Sequence, residues 1–364
     1  MKTEAQGSRI NIKRKYMKKL ILGLFALSAL SLSAADVQKF PLVGEYVGKA
    51  DAQKGWFKDS PDLSANIHKE GDDYIVVFTR DLCRRAVPYG NFTAKEKNGT
   101  LEFENVGMYK FTGTATSEGI KGVVKHWDNK DKKEYEYPFE LKRQNRVSPT
   151  MGAKPPKGAI VLFDGSNFSQ WQPCNRSFIT IPWRIDKAGK FMQIAKDKNG
   201  HSTDIETKRK FKNARLHIEF RCPDQSQNRG MGQNRGNSGV FFGRFETQVL
   251  DSFGAQGMWD ECGALYKFSP PQVNATLPPE VWQTYDIEYR GPKAKNGRIV
   301  EYPRITVRLN GVIIQNDIEL TEGTEYVSNA KSLKHLNDAP VPVRLQFHGD
   351  PVSFRNIWIE DLGE

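Results

Sequence analysis

The stretch Phe245-Glu246-Thr247-Gln248-Val249-Leu250-Asp251 decides how this chain reads. Successive side chains of a strand point to opposite faces, so Phe245, Thr247 and Val249 share one face, and Glu246 and Gln248 share the other. Two further stretches follow the same rule. In Leu216-His217-Ile218-Glu219-Phe220-Arg221 the apolar face is Leu216, Ile218 and Phe220, against His217, Glu219 and Arg221. In Val343-Arg344-Leu345-Gln346-Phe347-His348 it is Val343, Leu345 and Phe347, against Arg344, Gln346 and His348. With the three strands in one sheet and the apolar faces inward, two histidines, two carboxylates and two arginines are expected on a single polar surface.

Around these stretches, residues 159–364 read as a series of short strands. They include Ile160 to Phe163, Val240 to Phe242, Thr284 to Tyr289, Ile305 to Leu309, Val312 to Gln315 and Val352 to Ile359. Asn310-Gly311 predicts a type I′ hairpin, whose two central residues need positive φ. No convincing helix-period segment intervenes, which gives an all-β antiparallel sandwich of the jelly-roll kind. Upstream, residues 36–145 alternate over Asp73 to Thr79, Thr100 to Phe103, Gly119 to Val124 and Glu134 to Leu141, with a turn at Asn98-Gly99. This is the pattern of a smaller antiparallel β domain. His126-Trp127-Asp128 reads as a turn beside a packed Trp. Between the two regions, Ser148-Pro149-Thr150 and Pro155-Pro156-Lys157-Gly158 break any regular element, and residues 146–157 are expected to be a linker.

The apolar run Leu20 to Leu30 is too short for a bilayer span. It follows Lys18-Lys19 and precedes Ser31-Leu32-Ser33-Ala34, the layout of a signal peptide starting at Met17. Residues 1–35 are therefore expected to be a leader, and the protein to be exported to the periplasm, cell envelope or exterior. The net charge of +11 falls to +5 without residues 1–34, which hold seven Lys or Arg and one Glu, leaving 47 basic against 42 acidic residues. Those charges are interspersed, without the basic stripe of a nucleic-acid surface. Cys83, Cys174, Cys222 and Cys262 are widely spaced, with no Cys-x-x-Cys pair, so no zinc ribbon or thioredoxin-like site is expected.

No Gly-x-Ser-x-Gly pentad and no Walker loop occurs, which sets aside serine hydrolysis and phosphate binding. Carboxylates and histidines are better supplied. Glu246 and Asp251 stand five residues apart, and His348, His217 or Glu246 offers a general base. Two histidines with carboxylates also admit a divalent metal, although no spacing such as His-Glu-x-x-His is present. No other cofactor is called for. Gly236-Asn237-Ser238-Gly239 allows close backbone approach to a ligand. Of Trp171, Trp183, Tyr266, Trp282 and Trp358, only Tyr266 is expected to face a ligand. Trp358 is expected to share a strand face with Phe354 and Asn356.

Taken in order, the motifs Val161-Leu162-Phe163-Asp164-Gly165, Asn237-Ser238-Gly239-Val240, Phe245 to Ser252, Cys262-Gly263-Ala264-Leu265-Tyr266, Trp282-Gln283-Thr284-Tyr285, Leu309-Asn310-Gly311 and Phe354-Arg355-Asn356-Ile357 resemble the 3-keto-disaccharide hydrolase family over residues 158–362. The upstream region, with Arg146-Val147-Ser148-Pro149-Thr150 and Gly152-Ala153-Lys154-Pro155-Pro156, also looks like the small β domain that accompanies some members. The resemblance implies a concanavalin A-like jelly roll, export, and action on glycosides oxidised to a ketone at C3. It also implies a sugar 3-dehydrogenase acting upstream. A C3 ketone acidifies the C2 proton, so a base can remove it and expel the C1 substituent, with water then adding back. On this reading His348 or Glu246 is the base and Glu219 or Asp251 the acid or orienter. Arg344, Gln248 and Asn237 donate to the ketone and hydroxyls, and Gln346, Arg221 and Tyr266 complete the substrate contacts. Members often carry Gln-Asp-His where this chain has Gln346-Phe347-His348. The alternative is a non-catalytic carbohydrate-binding jelly roll.

Overall fold

The computed structural model describes residues 39–83, 87–104, 108–228, 232–324, 333 and 336–363. The expected leader, residues 1–35, lies outside them. Among the described residues there is no helix, and every strand pairing is antiparallel. Gln38–Glu364 forms one compact unit.

Residues Gly44–Gln144 build a nine-stranded sheet, a meander closed by the long hairpin Gly119–Asp128 with Lys133–Gln144. The sheet curls around its own core: Phe92, on the edge strand Gly90–Ala94, and Phe103, on the strand next to the other edge, stack at 6.0 Å, and Phe78 stacks on Phe111 at 4.2 Å. Asn98 (φ 55°) and Gly99 (φ 74°) make the expected turn. His126-Trp127-Asp128 is not a turn. It is the end of a strand, with His126 buried and Trp127 half-exposed. The turn comes later because Asp128 Oδ1 caps the Lys130 and Asp131 N–H groups and so closes the hairpin beyond it.

The second region is a sandwich, the fold class that the alternation predicts. Its eight-stranded sheet runs Arg184–Asp186, Phe191–Gln193, Ser353–Gly363, Asn213–Arg221, Gln283–Arg290, Arg304–Leu309, Val312–Glu319, with Ile160–Phe163 also on Ser353–Gly363. The opposing five-stranded sheet runs Trp171–Pro173, Ile205–Thr207, Val343–Leu345, Ser238–Phe242, Phe245–Val249. Leu216, Ile218 and Phe220 meet Val240, Phe242, Phe245, Val249 and Leu345 in the core between the sheets, where Phe242 stacks on Tyr289 at 4.6 Å. Asn310 (φ 52°) and Gly311 (φ 80°) form the two-residue hairpin turn.

Two expectations about strand faces are corrected. The three alternating stretches do not share a sheet, because Leu216–Arg221 belongs to the eight-stranded sheet and the other two to the five-stranded one. Phe354, Asn356 and Trp358 do not share a face either. Glu219 pairs with Arg355 and His217 with Trp358, so Asn356 and Ile357 together face the single residue Ile218. This is a β-bulge, with Asn356 at φ 44°. It keeps Phe354 and Ile357 in the core while Trp358 turns outward.

The 146–157 linker has no regular structure, yet it is tied down across the outer face of the eight-stranded sheet. Ser148 and Thr150 bond to Thr284 and Asp286, Gly152 N–H donates to Glu219 Oε1 (2.7 Å), and the Ala153 carbonyl accepts from Asn356 and Trp358.

Candidate active site

Cross-strand register lays one line of side chains over the outer face of the five-stranded sheet. Gln172 lies opposite Glu206, Glu206 opposite Arg344, Arg344 opposite Phe241, and Phe241 opposite Glu246. The adjacent line runs from Gly239 to Gln248. Each of these residues alternates with a core residue, which is why the apolar pattern of the strands delivers polar groups here.

Arg344 sits at the middle of the line. Its guanidinium lies 3.8 Å over the Phe241 ring and donates to Asp204 Oδ2 at 3.1 Å. Asp204 Oδ1 accepts from Phe347 N–H at 2.9 Å, pinning the chain where it leaves the Val343–Leu345 strand toward His348. Burial raises the Asp204 carboxyl above its ordinary range, against the opposing pull of that N–H, Arg344 and the charge of His348. His348 itself is exposed. Phe347 packs against the core, as its place in the alternation predicts. Glu206 accepts from Gln172 (3.1 Å) and Arg176 (2.7 Å). The neighbouring Cys174 thiol is pushed up to about 12 by burial and by Glu206 and Asp204, so it is held protonated.

Glu246 and Gln248 are buried at the far end of the line. One end of the Gln248 amide lies 2.9 Å from Glu246 Oε1 and 2.8 Å from the Ser238 carbonyl, two acceptors that call for its NH2 group on that side. A Cβ on Gly239 would stand 2.4 Å from Glu246 Oε1, so only glycine leaves room for this carboxylate. Beside it the Gln346 Oε1 atom is buried without a hydrogen-bond partner among the described residues. Tyr266 follows Leu265, which bridges to Thr247 on the core side, and Tyr266 N–H donates to the Glu246 carbonyl.

Thus Glu246, Gln248, Arg344, Gln346, His348 and Tyr266 share one side of the sandwich. The other expected site residues do not join them. His217, Glu219 and Arg221 lie on the outer face of the opposite sheet. His217 and Glu219 are each 1% exposed beneath the linker. His217 Nδ1 bonds Asp286 Oδ1 at 2.7 Å, its ring stacks on Trp358, and Glu219 accepts from Arg355 and Asn356. Burial opposes the charged form of both, but their partners outweigh it: His217 is raised, and Glu219 is held at about 2. Arg221 lies over the Trp282 and Phe191 rings.

Asp251 is buried in an ion pair with Arg235 (2.8 Å), whose guanidinium also reaches the Lys69 carbonyl of the first sheet. It joins the two β regions, and burial raises its carboxyl. Asn237 holds the 233–237 loop through its Nδ2 bond to the Gln233 carbonyl (2.7 Å) and its N–H bond to Asp350 (2.7 Å). Asp204, Glu206, Gln172, Arg176 and Phe241 went unread in the sequence. The Ile205–Thr207 and Trp171–Pro173 strands are too short to show an alternation, and they become part of the face only by pairing.

No group of three His, Cys, Asp or Glu side chains that could hold a metal ion occurs among the described residues. Nor does any helix among them have the length and apolarity to cross a membrane.

The family described as a 3-keto-alpha-glucoside-1,2-lyase-like domain matches residues 158–360, more than half of the chain. The chain belongs to this family. Membership gives it a glycoside-hydrolase type of function. Two crystal structures of candidate glycosyl hydrolases from Parabacteroides distasonis are similar to it. One is 35% identical, covering 57% of this chain and 84% of that one with a TM-score of 0.48. The other is 20% identical, covering 57% and 94% with a TM-score of 0.39. No curated protein matches.

Proposed function

We propose that this protein cleaves 3-keto-glycosides on the outer face of its five-stranded sheet, by elimination across C2 and C1 followed by hydration. The observation that carries this reading is the convergence of Glu246, Arg344 and His348 on one face in a member of this family. Glu246 takes the C2 proton. Its carboxylate is fixed by the Gln248 amide and seated over Gly239, which satisfies the positional demand on a general base. The electron pair moves into the C2–C3 bond and onto the ketone oxygen, which Arg344 stabilises as an enolate from its fixed position over Phe241. As that pair returns, the C1–O bond breaks and the leaving oxygen takes a proton from His348. Water then adds across the C1=C2 bond, so the net change is hydrolysis. Gln346 Oε1 accepts from a sugar hydroxyl.

The same reading proposes export through the 1–35 leader, and a supply of substrate from an enzyme that oxidises the sugar at C3. Its test is to incubate the mature protein with a 3-keto-glucoside and with the unoxidised parent, following aglycone release with and without a chelator. Release from the keto form alone is the expected result, and the chelator arm decides whether a divalent metal takes part. Binding without release from either form overturns the enzyme reading in favour of the carbohydrate-binding module.

A further inference from the structure

The 251–267 segment leaves the Phe245–Val249 strand and comes back to that strand's free edge. Gly263 N–H and Gln248 N–H bond the Gln248 and Ala264 carbonyls, and Leu265 bridges to Thr247. Outside this returning segment lies Trp259, whose carbonyl accepts from Lys267 N–H at 2.8 Å. Trp259 is therefore two strand spacings from the Glu246 strand, about 10 Å, a span that a two-ring sugar can bridge.

Trp259 is 51% exposed, while the backbone and side chains that flank it are tied down. Lys267 Nζ sits 4.9 Å from the Trp259 ring and 5.6 Å from the Tyr266 ring, and pairs with Asp260. The Asp260 carbonyl accepts from Gln233, the residue that also receives the Asn237 amide. Glu261 Oε2 accepts from the Gly257 and Met258 N–H groups, closing the turn before Trp259.

The first sheet holds the rest of the loop. Phe253 is buried in that sheet's core, and Gly254 packs so tightly on His68 that a Cβ would stand 2.3 Å from His68 Nδ1. Gln256, Met258 and Glu261 line an open cleft of about 390 Å³ against His68, Glu70 and Asn91. An aromatic ring that is held by its neighbours, left exposed and set two strand spacings from Glu246 offers a face on which sugar C–H groups stack.

We propose that Trp259 is the platform for the sugar ring leaving from C1, so that it selects glycosides whose aglycone is itself a sugar. This rests on the cleavage reading above and names the end of the site where the leaving group lies. The line of site residues has a charged end at Arg176 and Glu206 and an aromatic end at Tyr266 and Trp259. A neutral ring leaving from C1 gains stacking only at the latter.

The experiment compares wild type with Trp259→Ala and Trp259→Tyr on a 3-keto-disaccharide and on the methyl 3-keto-glucoside. The expected result for Trp259→Ala is a KM for the disaccharide raised about tenfold at unchanged kcat, the methyl substrate unaffected, and Trp259→Tyr restoring most of the loss. Equal losses on both substrates, or none on either, overturn the proposal. If wild type cleaves neither substrate, the cleavage reading has failed separately, and calorimetric titration of the unoxidised disaccharide decides the platform. Affinity weakened about tenfold in Trp259→Ala supports it, and equal affinity overturns it.

Discussion

On the outer face of the eight-stranded sheet, His217 and Glu219 are sealed under residues 146–157. On the outer face of the five-stranded sheet, Arg344 and Gln346 are half-buried and His348 is exposed. Both faces are built by the same alternation and hold the same residue types. What separates them is whether another part of the chain covers them. The Gly152 N–H, Thr150 by way of Asp286, and the bulge residue Asn356 complete the His217–Glu219 cluster. On the other face the Gln346 oxygen has no hydrogen-bond partner among the described residues. A polar strand face covered by a neighbouring segment is thus sealed, whereas one left partly open keeps its polar groups within reach of a ligand.

The largest effect that would break this contrast is expected at Glu246. Glu246→Gln keeps the shape and the Gln248 contact but removes the base, so kcat on a 3-keto-glucoside should fall about a thousandfold with the melting temperature little changed. Residual turnover near wild type would remove Glu246 from the mechanism. On the covered face the effect is on stability: His217→Ala removes one buried partner from each of Glu219 and Asp286, which keep Arg355, Asn356 and Thr150, and should cost about 3 kcal/mol in denaturant unfolding, while the folded protein keeps its kcat.

The same cluster sets a pH dependence. Glu219 is depressed to about 2, so its contribution is present above the ordinary carboxylate value of 4.5 and is lost as pH falls toward 2. His217 is raised, so its contribution is complete below 6.5 and is lost as pH rises through the folded value. Melting temperatures of wild type and His217→Ala, measured across that range, should differ most at mildly acidic pH and converge on the alkaline side.

Gly239→Ala pushes a methyl group into the Glu246 carboxylate and should lower kcat about a hundredfold through misplacement of the base. An unchanged rate would show that the carboxylate has room to move. The smallest effect is expected from Thr150→Ala, which removes the linker's bond to Asp286 (2.6 Å) together with weaker contacts to Thr284 and Ser148, and should cost about 1 kcal/mol of stability with no change in turnover.

Much of the fold was legible in the sequence because it follows from local rules. The alternation in 216–221, 245–249 and 343–345 assigned inward and outward residues correctly, and the two Asn-Gly turns fell where positive φ was demanded. The grouping of the site was less legible. Glu246, Gln248, Arg344, Gln346 and His348 do share a side, but grouping His217 and Glu219 with them required all three stretches to lie in one sheet, and Asp251 is paired with Arg235. Trp259 was passed over, since an aromatic in a loop carries no periodic signal.

The faces of the regular strands 216–221, 245–249 and 343–345 and the two Asn-Gly turns are properties of a few consecutive residues, and the sequence alone determined them. Three matters were decided only by the tertiary structure: which sheet each strand joins, which polar face the linker covers, and which loop tip returns beside Glu246. Each depends on pairing between residues far apart in the chain, such as Gly152 with Glu219, Asp204 with Arg344 and Arg235 with Asp251. Residue type and period state what a side chain can do, and long-range packing states which partner it meets.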